Sequence, residues 1–263
     1  YIDDVLVDLI PSCLMPTNLA VTEGSVTPNQ VALTWNPGAS ETTWNLRYRK
    51  AGDEDWTEVS DPITVASYTI AELDPVTAYE VQVRAYCGAE DQSEWTESTA
   101  FTTACSVYSL PFIENFNLLT SGIPQCWDNE EGTTTNTSYR WNYTDSGEDG
   151  NAVMFNSYNN SRNLTNVLAT PEIQLTNKAI LSFDYLMQGG SSLIVEIQNV
   201  DSAAPVQLAS MAKATAWTNK EIDLSDYVGQ TVNIRFKGIS DYGSFNVFLD
   251  NVELYLKPAC LPL

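Results

Sequence analysis

The chain has 263 residues, 43% of them apolar, enough for one large domain or two ordinary ones. Its 34 acids against 12 bases give a net charge of −22, a surface that repels phosphate backbones and anionic headgroups and so argues against nucleic-acid and membrane-surface partners. The absence of histidine excludes a Ser-His-Asp triad, a Cys-His pair and His-ligated zinc, and no apolar run approaches the roughly 20 residues of a membrane helix.

The opening segment, YIDDVLVDLIPSCL (1–14), returns at the other end as FLDNVELYLKPACL (248–261). Aligned without a gap, Asp3, Val5, Leu9, Pro11, Cys13 and Leu14 meet Asp250, Val252, Leu256, Pro258, Cys260 and Leu261. That is the pattern of a repeating array with a period running from Cys13 to Cys260. Residues 1–12 then read as the last strand of a preceding repeat, and residues 258–263 as the start of a following one. An isolated strand leaves its ladder groups unpaired, so the opening segment is expected to pair with a neighbouring chain or with a sheet edge of this one.

Between these ends the chain alternates with period two. The runs are VALTW (31–35), WNLRYR (44–49), YEVQVRAY (79–86), LIVEIQNV (193–200) and TVNIRF (231–236). Turn clusters such as NPGAS, AGDED, MQGGSS and SDYGS separate the runs, and helical periodicity is nearly absent. Short strands at this spacing predict an all-β chain of sandwiches.

Residues 13–104 resemble a fibronectin type III domain. PTNLAV begins strand A, VALTWN is strand B with Trp35 in the core, WNLRYRKAGDEDWTEV gives strands C and C′, and WTESTAFTT is strand G. The most specific piece is YTIAELDPVTAYEVQVRAYC, where Leu73, Pro75, Thr77 and Tyr79 match the family's L-x-P-x-T-x-Y approach to strand F. The resemblance makes Tyr79 the corner tyrosine, its ring buried and its hydroxyl returned to nearby backbone.

Residues 105–257 resemble the jelly-roll modules called MAM-like or cleaved-adhesin domains, found in surface and secreted proteins of Bacteroidetes such as the gingipain adhesins. LPFIENFN, IPQCWDN, LATPEIQLTNKAILSFDYLM and SLIVEIQNV follow in that family's order. WTNKEIDLSDYVGQTVNIRFKGISDYGSFNVFLDNVEL adds a Gly-Gln turn, a Tyr-Gly loop and a final strand carrying an aspartate. The implied architecture is a fibronectin type III sandwich and a jelly-roll β-sandwich in tandem, with Trp127 and Trp141 in the second core.

The five cysteines follow from that resemblance. In a fibronectin domain the N-terminus and the end of strand F share a pole, which implies a Cys13–Cys87 disulfide. Cys105 follows strand G at the opposite pole. A disulfide needs Cα atoms within roughly 7 Å, so Cys87–Cys105 is disfavoured and Cys105 is assigned to Cys126. Cys260 repeats Cys13, and its partner would lie in a following repeat. A reactive thiol is the rival reading, but nothing cationic is arranged in the sequence to make a thiolate.

Calcium is the implied cofactor. In the resembled jelly rolls the first and last strands hold a structural Ca²⁺, and the matching residues here are Glu114, Asn115 and Asp250. Ca²⁺ takes six to eight oxygens, so backbone carbonyls must supply the remainder. The alternative is a hydrogen-bonded strand-end carboxylate. DSGEDGN (145–151) lacks the downstream bidentate Glu of an EF-hand and is read as a turn.

Tyr143, Tyr158 and Tyr242 fall in or near predicted jelly-roll loops and are the candidate ligand contacts, with ordinary half-exposed tyrosine as the alternative. Asp201-Ser202-Ala203 resembles a short O-glycosylation motif of Bacteroidetes and makes Ser202 a glycosylation candidate. Asn136, Asn142, Asn159 and Asn163 open N-x-S/T sequons, which a bacterial source would leave unused. The many carboxylates form no recognisable catalytic signature.

Together these readings predict a non-catalytic adhesion or stalk segment of a larger secreted or cell-surface protein. It would bind an extracellular protein or glycan, sit among neighbouring repeats of the same polypeptide, and have no nucleic-acid partner and no membrane insertion. The alternative is a carbohydrate-binding accessory module of a secreted hydrolase or peptidase.

Overall fold

The computed structural model describes residues 13–202, 204–243 and 245–258. The expectations for residues 1–12 and for Cys260 lie outside these. The chain divides into two compact units, Tyr1–Ser106 and Val107–Leu263. Among the described residues there is no α-helix, and no helix long and apolar enough to cross a membrane.

The first unit is a sandwich of β1 (Thr17–Val21), β2 (Val31–Asn36), β3 (Trp44–Lys50), β4 (Thr57–Glu58), β5 (Ser67–Ile70), β6 (Ala78–Gly88), β7 (Asp91–Gln92) and β8 (Thr99–Thr102). One sheet runs β1-β2-β5. The other runs β4-β3-β6-β7, with β8 also on β6. Alternation decides what faces inward: Val31, Leu33 and Trp35 of β2 are buried with Trp44 and Leu46 of β3 and Val81, Val83 and Ala85 of β6. Trp35 and Trp44 meet edge to face at 5.8 Å. Tyr79 stacks on Phe101 at 5.6 Å, and its hydroxyl oxygen accepts the Asp74 backbone N–H at 3.0 Å. On the opposite face of β3 and β6, Arg47 lies between Trp56 and Trp95 at 4.5 and 4.3 Å, flanked by Arg49 and Arg84. Cys13 and Cys87 are joined by a disulfide, with their Cα atoms 5.9 Å apart. Cys105 and Cys126 are both oxidised in disulfides.

The second unit contains β9 (Phe112–Glu114), β10 (Trp141–Thr144), β11 (Ala152–Phe155), β12 (Thr165–Ala169), β13 (Ile173–Gln174), β14 (Ala179–Met187), β15 (Ser192–Asn199), β16 (Val206–Ser210), β17 (Ala214–Asp223), β18 (Thr231–Ile239) and β19 (Val247–Leu256). One sheet runs β10-β11-β19-β14-β17, with β9 on β19; the other runs β12-β18-β15-β16, with β13 on β18. This is a jelly-roll sandwich. Its core takes Phe155, Leu181, Phe183 and Leu249 from the first sheet and Leu168, Val195, Ile234 and Phe236 from the second. Phe183 and Phe236 meet edge to face at 5.2 Å across the layers. Trp127 and Trp141 are buried in the same core. The buried Asn166 ties the start of β10 to residues 129–131. Its Oδ1 accepts the Trp141 N–H at 2.8 Å, and its Nδ2 donates to the carbonyls of Asn129 and Glu131 at 2.7 and 3.0 Å.

Two features of this sandwich matter for function. Strand β19 buries Val247 and Leu249, then Val252 and Leu254, so its inward face changes parity at Asp250 and Asn251. A bulge does this: the β14–β19 register shifts there, and Asn251 takes a left-handed φ of 48°. Asparagine tolerates that conformation better than most residues. The second feature is an end of the sandwich where Phe155, Met187 and Val247 share one register and Thr165, Ser192 and Ile239 share another. The loops 156–164, 188–191 and 240–246 therefore all emerge at that end.

Candidate functional site

At the loop end, buried hydroxyls tie three loops together. The Oγ atoms of Ser157 and Ser191 are 2.6 Å apart. Ser157 Oγ accepts the Asp241 N–H at 2.9 Å, and Ser191 Oγ donates to the Phe245 carbonyl at 2.9 Å. Ser240 Oγ accepts the Leu164 N–H at 3.0 Å and donates to the Ser161 carbonyl. Above this base the backbone is cross-linked again: Gly243 N–H donates to the Tyr158 carbonyl at 3.0 Å, and Tyr158 N–H donates to Asn246 Oδ1 at 2.9 Å.

What these tied loops show to solvent is aromatic. Tyr158, Tyr242 and Phe245 are 55%, 64% and 60% exposed. Beside them Arg162 Nε meets Asp241 Oδ1 at 3.0 Å. Large rings normally gain from burial, so three rings left in water on loops held by a buried polar network suit contact with something else. The sequence singled out Tyr158 and Tyr242, and the fold brings their loops together. It does not bring Tyr143 there: that residue is half-buried in β10, opposite Val153. Phe245, Arg162 and Asp241 were missed. The Tyr-Gly loop marked the place, but only strand order shows that the 156–164 loop arrives beside it. Ser202 is exposed, with its Oγ donating to the Ala204 carbonyl at 3.2 Å.

A second site lies in mid-sheet. Asp250 is fully buried, its Oδ2 accepting the Glu148 N–H at 2.9 Å and its Oδ1 the Asn251 N–H at 2.8 Å. Directly across the ladder stands Asp184, also buried, whose oxygens accept from Asn219 and Asn251 side-chain amides at 2.9 and 3.0 Å. Like charges directly opposite each other are destabilising. Burial pushes the Asp250 carboxyl above the usual range, with Asp149 and Asp184 adding to the rise against its two N–H bonds. Glu148 is pushed up first by a hydrogen bond with Asp184, then by burial and by its acidic neighbours. Loop 145–151 is held in place by Asn151, which bonds to Asn117 and Leu119.

Among the described residues no three His, Cys, Asp or Glu side chains converge as metal ligands. Three oxygens do converge beside Gly147. A Cβ there would lie 2.7 Å from the carbonyls of Asn151 and Gly150 and 2.8 Å from Asp250 Oδ2. An all-oxygen cradle with a buried carboxylate fits a hard cation such as Ca²⁺ better than a thiophilic metal. Of the other two residues expected to bind calcium, Glu114 lies opposite Val252 on β9 and accepts the Phe116 N–H at 2.7 Å, its carboxyl pushed up by burial. Asn115 is exposed and accepts the Asn117 N–H at 3.2 Å. Both engage their own local turn. The acidic Gly-rich loop 145–151, read from sequence as a plain turn, is the segment that reaches Asp250.

A fibronectin type III domain model matches residues 15–102, and the MAM domain model (meprin/A5/mu) matches residues 120–260. Human Pikachurin is 39% identical over 66 residues, which are 23% of this chain and 6% of that protein. Bovine Pikachurin is 37% identical over 85 residues, 28% of this chain and 8% of that protein. The chain thus spans less than a tenth of the length of these curated relatives, 6% and 8%. Among solved structures, the K1 cleaved adhesin domain of Lys-gingipain from Porphyromonas gingivalis W83 is 21% identical, with a TM-score of 0.45, over 56% of this chain and 99% of that one. The fn3 domain of human collagen alpha-1(XX) is 31% identical, with a TM-score of 0.30, over 36% of this chain and 88% of that one.

Proposed function

The chain belongs to the MAM domain family, whose model covers more than half of it, and from that premise we propose that it is a non-catalytic extracellular adhesion segment of a larger secreted or cell-surface protein. It would hold a protein or glycan partner at the jelly-roll loop end. The observation that carries this reading is the set of exposed rings of Tyr158, Tyr242 and Phe245 on loops held by buried serine hydroxyls. A surface fixed before contact loses little conformational freedom on binding. Disulfides suit an oxidising, extracellular setting. The fibronectin-type unit would act as spacer, and the recurrence of residues 1–14 at 248–261 supports a tandem array. A Bacteroidetes source, with a glycan on Ser202, belongs to the same proposal.

Structural calcium is part of this reading. Asp250 with the carbonyls of Gly150 and Asn151 would hold the ion, with Glu114 and Asn115 on the neighbouring strand end. A bound Ca²⁺ would neutralise carboxylates that the fold has removed from water, and so tie loop 145–151 to the sheet.

The test is adhesion of the full chain, coated on beads, to surfaces bearing matrix proteins or mucin. Adhesion should be lost on Tyr158→Ala/Tyr242→Ala with the fold intact. Adhesion indifferent to those residues would refute the loop-end reading. The accessory-module alternative rests on the same exposed aromatics and predicts selective retention of one polysaccharide in affinity electrophoresis.

A further inference from the structure

The loop end combines two kinds of recognition chemistry. Asp241 offers a carboxylate whose side chain is 32% exposed, and Arg162 offers a guanidinium that is 71% exposed, joined through Nε and Oδ1 at 3.0 Å. A carboxylate only accepts hydrogen bonds and a guanidinium only donates them. Side by side they match a ligand that presents donors and acceptors at short spacing, such as adjacent hydroxyl groups. An anionic ligand would face Asp241 and a chain of net charge −22, while a cationic one would face Arg162. The ligand that satisfies both partners is uncharged.

Tyr158, Tyr242 and Phe245 supply the other half. An aromatic face packs on an apolar face, and the tyrosine hydroxyls keep a polar tip in water. A pyranose has this two-sided character, with C–H groups on one face and hydroxyls around the rim. Asn246 adds an amide, though its Oδ1 is already used by the Tyr158 N–H and its Nδ2 by Met154 Sδ at 3.0 Å.

We propose that Asp241, Arg162, Tyr158, Tyr242 and Phe245 form a binding site for an uncharged pyranose at the exposed end of a glycan. This rests on the adhesion reading above and names its ligand. A loop tip, unlike a long groove, reaches a chain end. The carboxylate is positioned by the backbone beneath it: the Asp241 N–H is fixed on Ser157 Oγ at 2.9 Å, and its Oδ2 lies where a Cβ on Gly190 would come within 1.7 Å. Gly190 is therefore a positioning residue, since any side chain there displaces the Asp241 carboxylate.

The full chain would be titrated with the methyl glycosides of galactose, glucose, mannose and N-acetylglucosamine, followed by saturation-transfer NMR and by shifts of backbone amides. At least one glycoside is expected to bind with a Kd on the order of 1 mM. Tyr158→Ala/Tyr242→Ala and Asp241→Asn should each weaken it about tenfold or more, and Gly190→Ala should follow Asp241→Asn. Leu118→Ser, at a fully exposed position on another loop, should bind as wild type. Circular dichroism on each variant separates loss of binding from loss of fold.

Binding of none of the four glycosides overturns the inference, as does binding that survives both the tyrosine and the aspartate changes. If the tyrosine variant loses bead adhesion while no glycoside binds or competes, the adhesion reading stands, the sugar inference falls, and the partner is a protein. If a glycoside binds at these residues but adhesion does not depend on them, the sugar site stands and the adhesion reading falls.

Discussion

The Cys13–Cys87 bond allows a quantitative test of how the first domain is held together. It closes a loop with a sequence separation of 74, so reduction frees a long segment of unfolded chain. In the chain-entropy description a 15-residue loop is worth about 3 kcal/mol and a 100-residue loop about 4.7, which places this one at about 4 kcal/mol. The perturbation is Cys13→Ala/Cys87→Ala. Alanine suits both sites: Cys13 is buried in the apolar core, where serine would add an unpaired hydroxyl, and Cys87 is exposed. A domain of this size shifts by roughly 4–8 °C per kcal/mol, so its transition should fall by about 15 °C or more. The assay is calorimetry on the full chain, in which the jelly-roll transition serves as internal control and should stay in place. A shift below about 4 °C would refute loop closure as the source of stability. Movement of both transitions would refute independent unfolding.

Removing Asn166 should damage the second domain more than its single amide suggests. Asn166→Ala strands the Trp141 N–H and the Asn129 carbonyl, while the Glu131 carbonyl keeps the Val167 N–H at 2.9 Å; at about 1–3 kcal/mol per buried unpaired group the urea midpoint should reflect a loss of about 2 kcal/mol or more. A loss under about 1 kcal/mol would mean that water replaces the amide. The Asp250 site makes stability depend on pH and on calcium together. Asp250 and Glu148 have raised pKa values in the folded state, so folding takes up protons as pH falls through those values, and the gain is complete below the unfolded values. In EDTA the jelly-roll transition should therefore rise as the pH is lowered from 7 toward the ordinary carboxylate values of 4.5 and 3.8. Calcium at pH 7 should raise it too and flatten the pH dependence, and Gly147→Ala, which fills the oxygen cradle, should remove the calcium effect. A transition that falls with acidification in EDTA, or a calcium response intact in Gly147→Ala, would contradict this account.

The all-β architecture was legible in the sequence because strand alternation is a local signal. Val31, Leu33 and Trp35 alternate in the sequence and alternate in burial. The approach to β6 was legible residue by residue, since Leu73, Pro75, Thr77 and Tyr79 make a corner from contacts a few positions apart: Tyr79 reaches Asp74, and Thr77 Oγ1 reaches the Pro75 carbonyl at 2.9 Å. Tyr158 and Tyr242 were recognisable as loop residues from the turn chemistry around them.

Which groups meet across long sequence separations was not legible. Asp250 is an acid inside an alternating strand, and nothing adjacent to it in the sequence names Asp184 or Glu148 as neighbours. Those contacts follow from β14 and β11 flanking β19, and from a bulge at Asn251 that puts two consecutive residues, Asp250 and Asn251, on the face away from the core beside Asp184. The loop end has the same cause: Arg162 and Asp241 lie 79 positions apart in sequence, and they touch because β12 and β15 both pair with β18 and begin where it ends. Periodicity fixes which way a side chain points, a property of its own strand. Only strand order fixes what it points at, because the neighbours are chosen by the packing of the whole sheet.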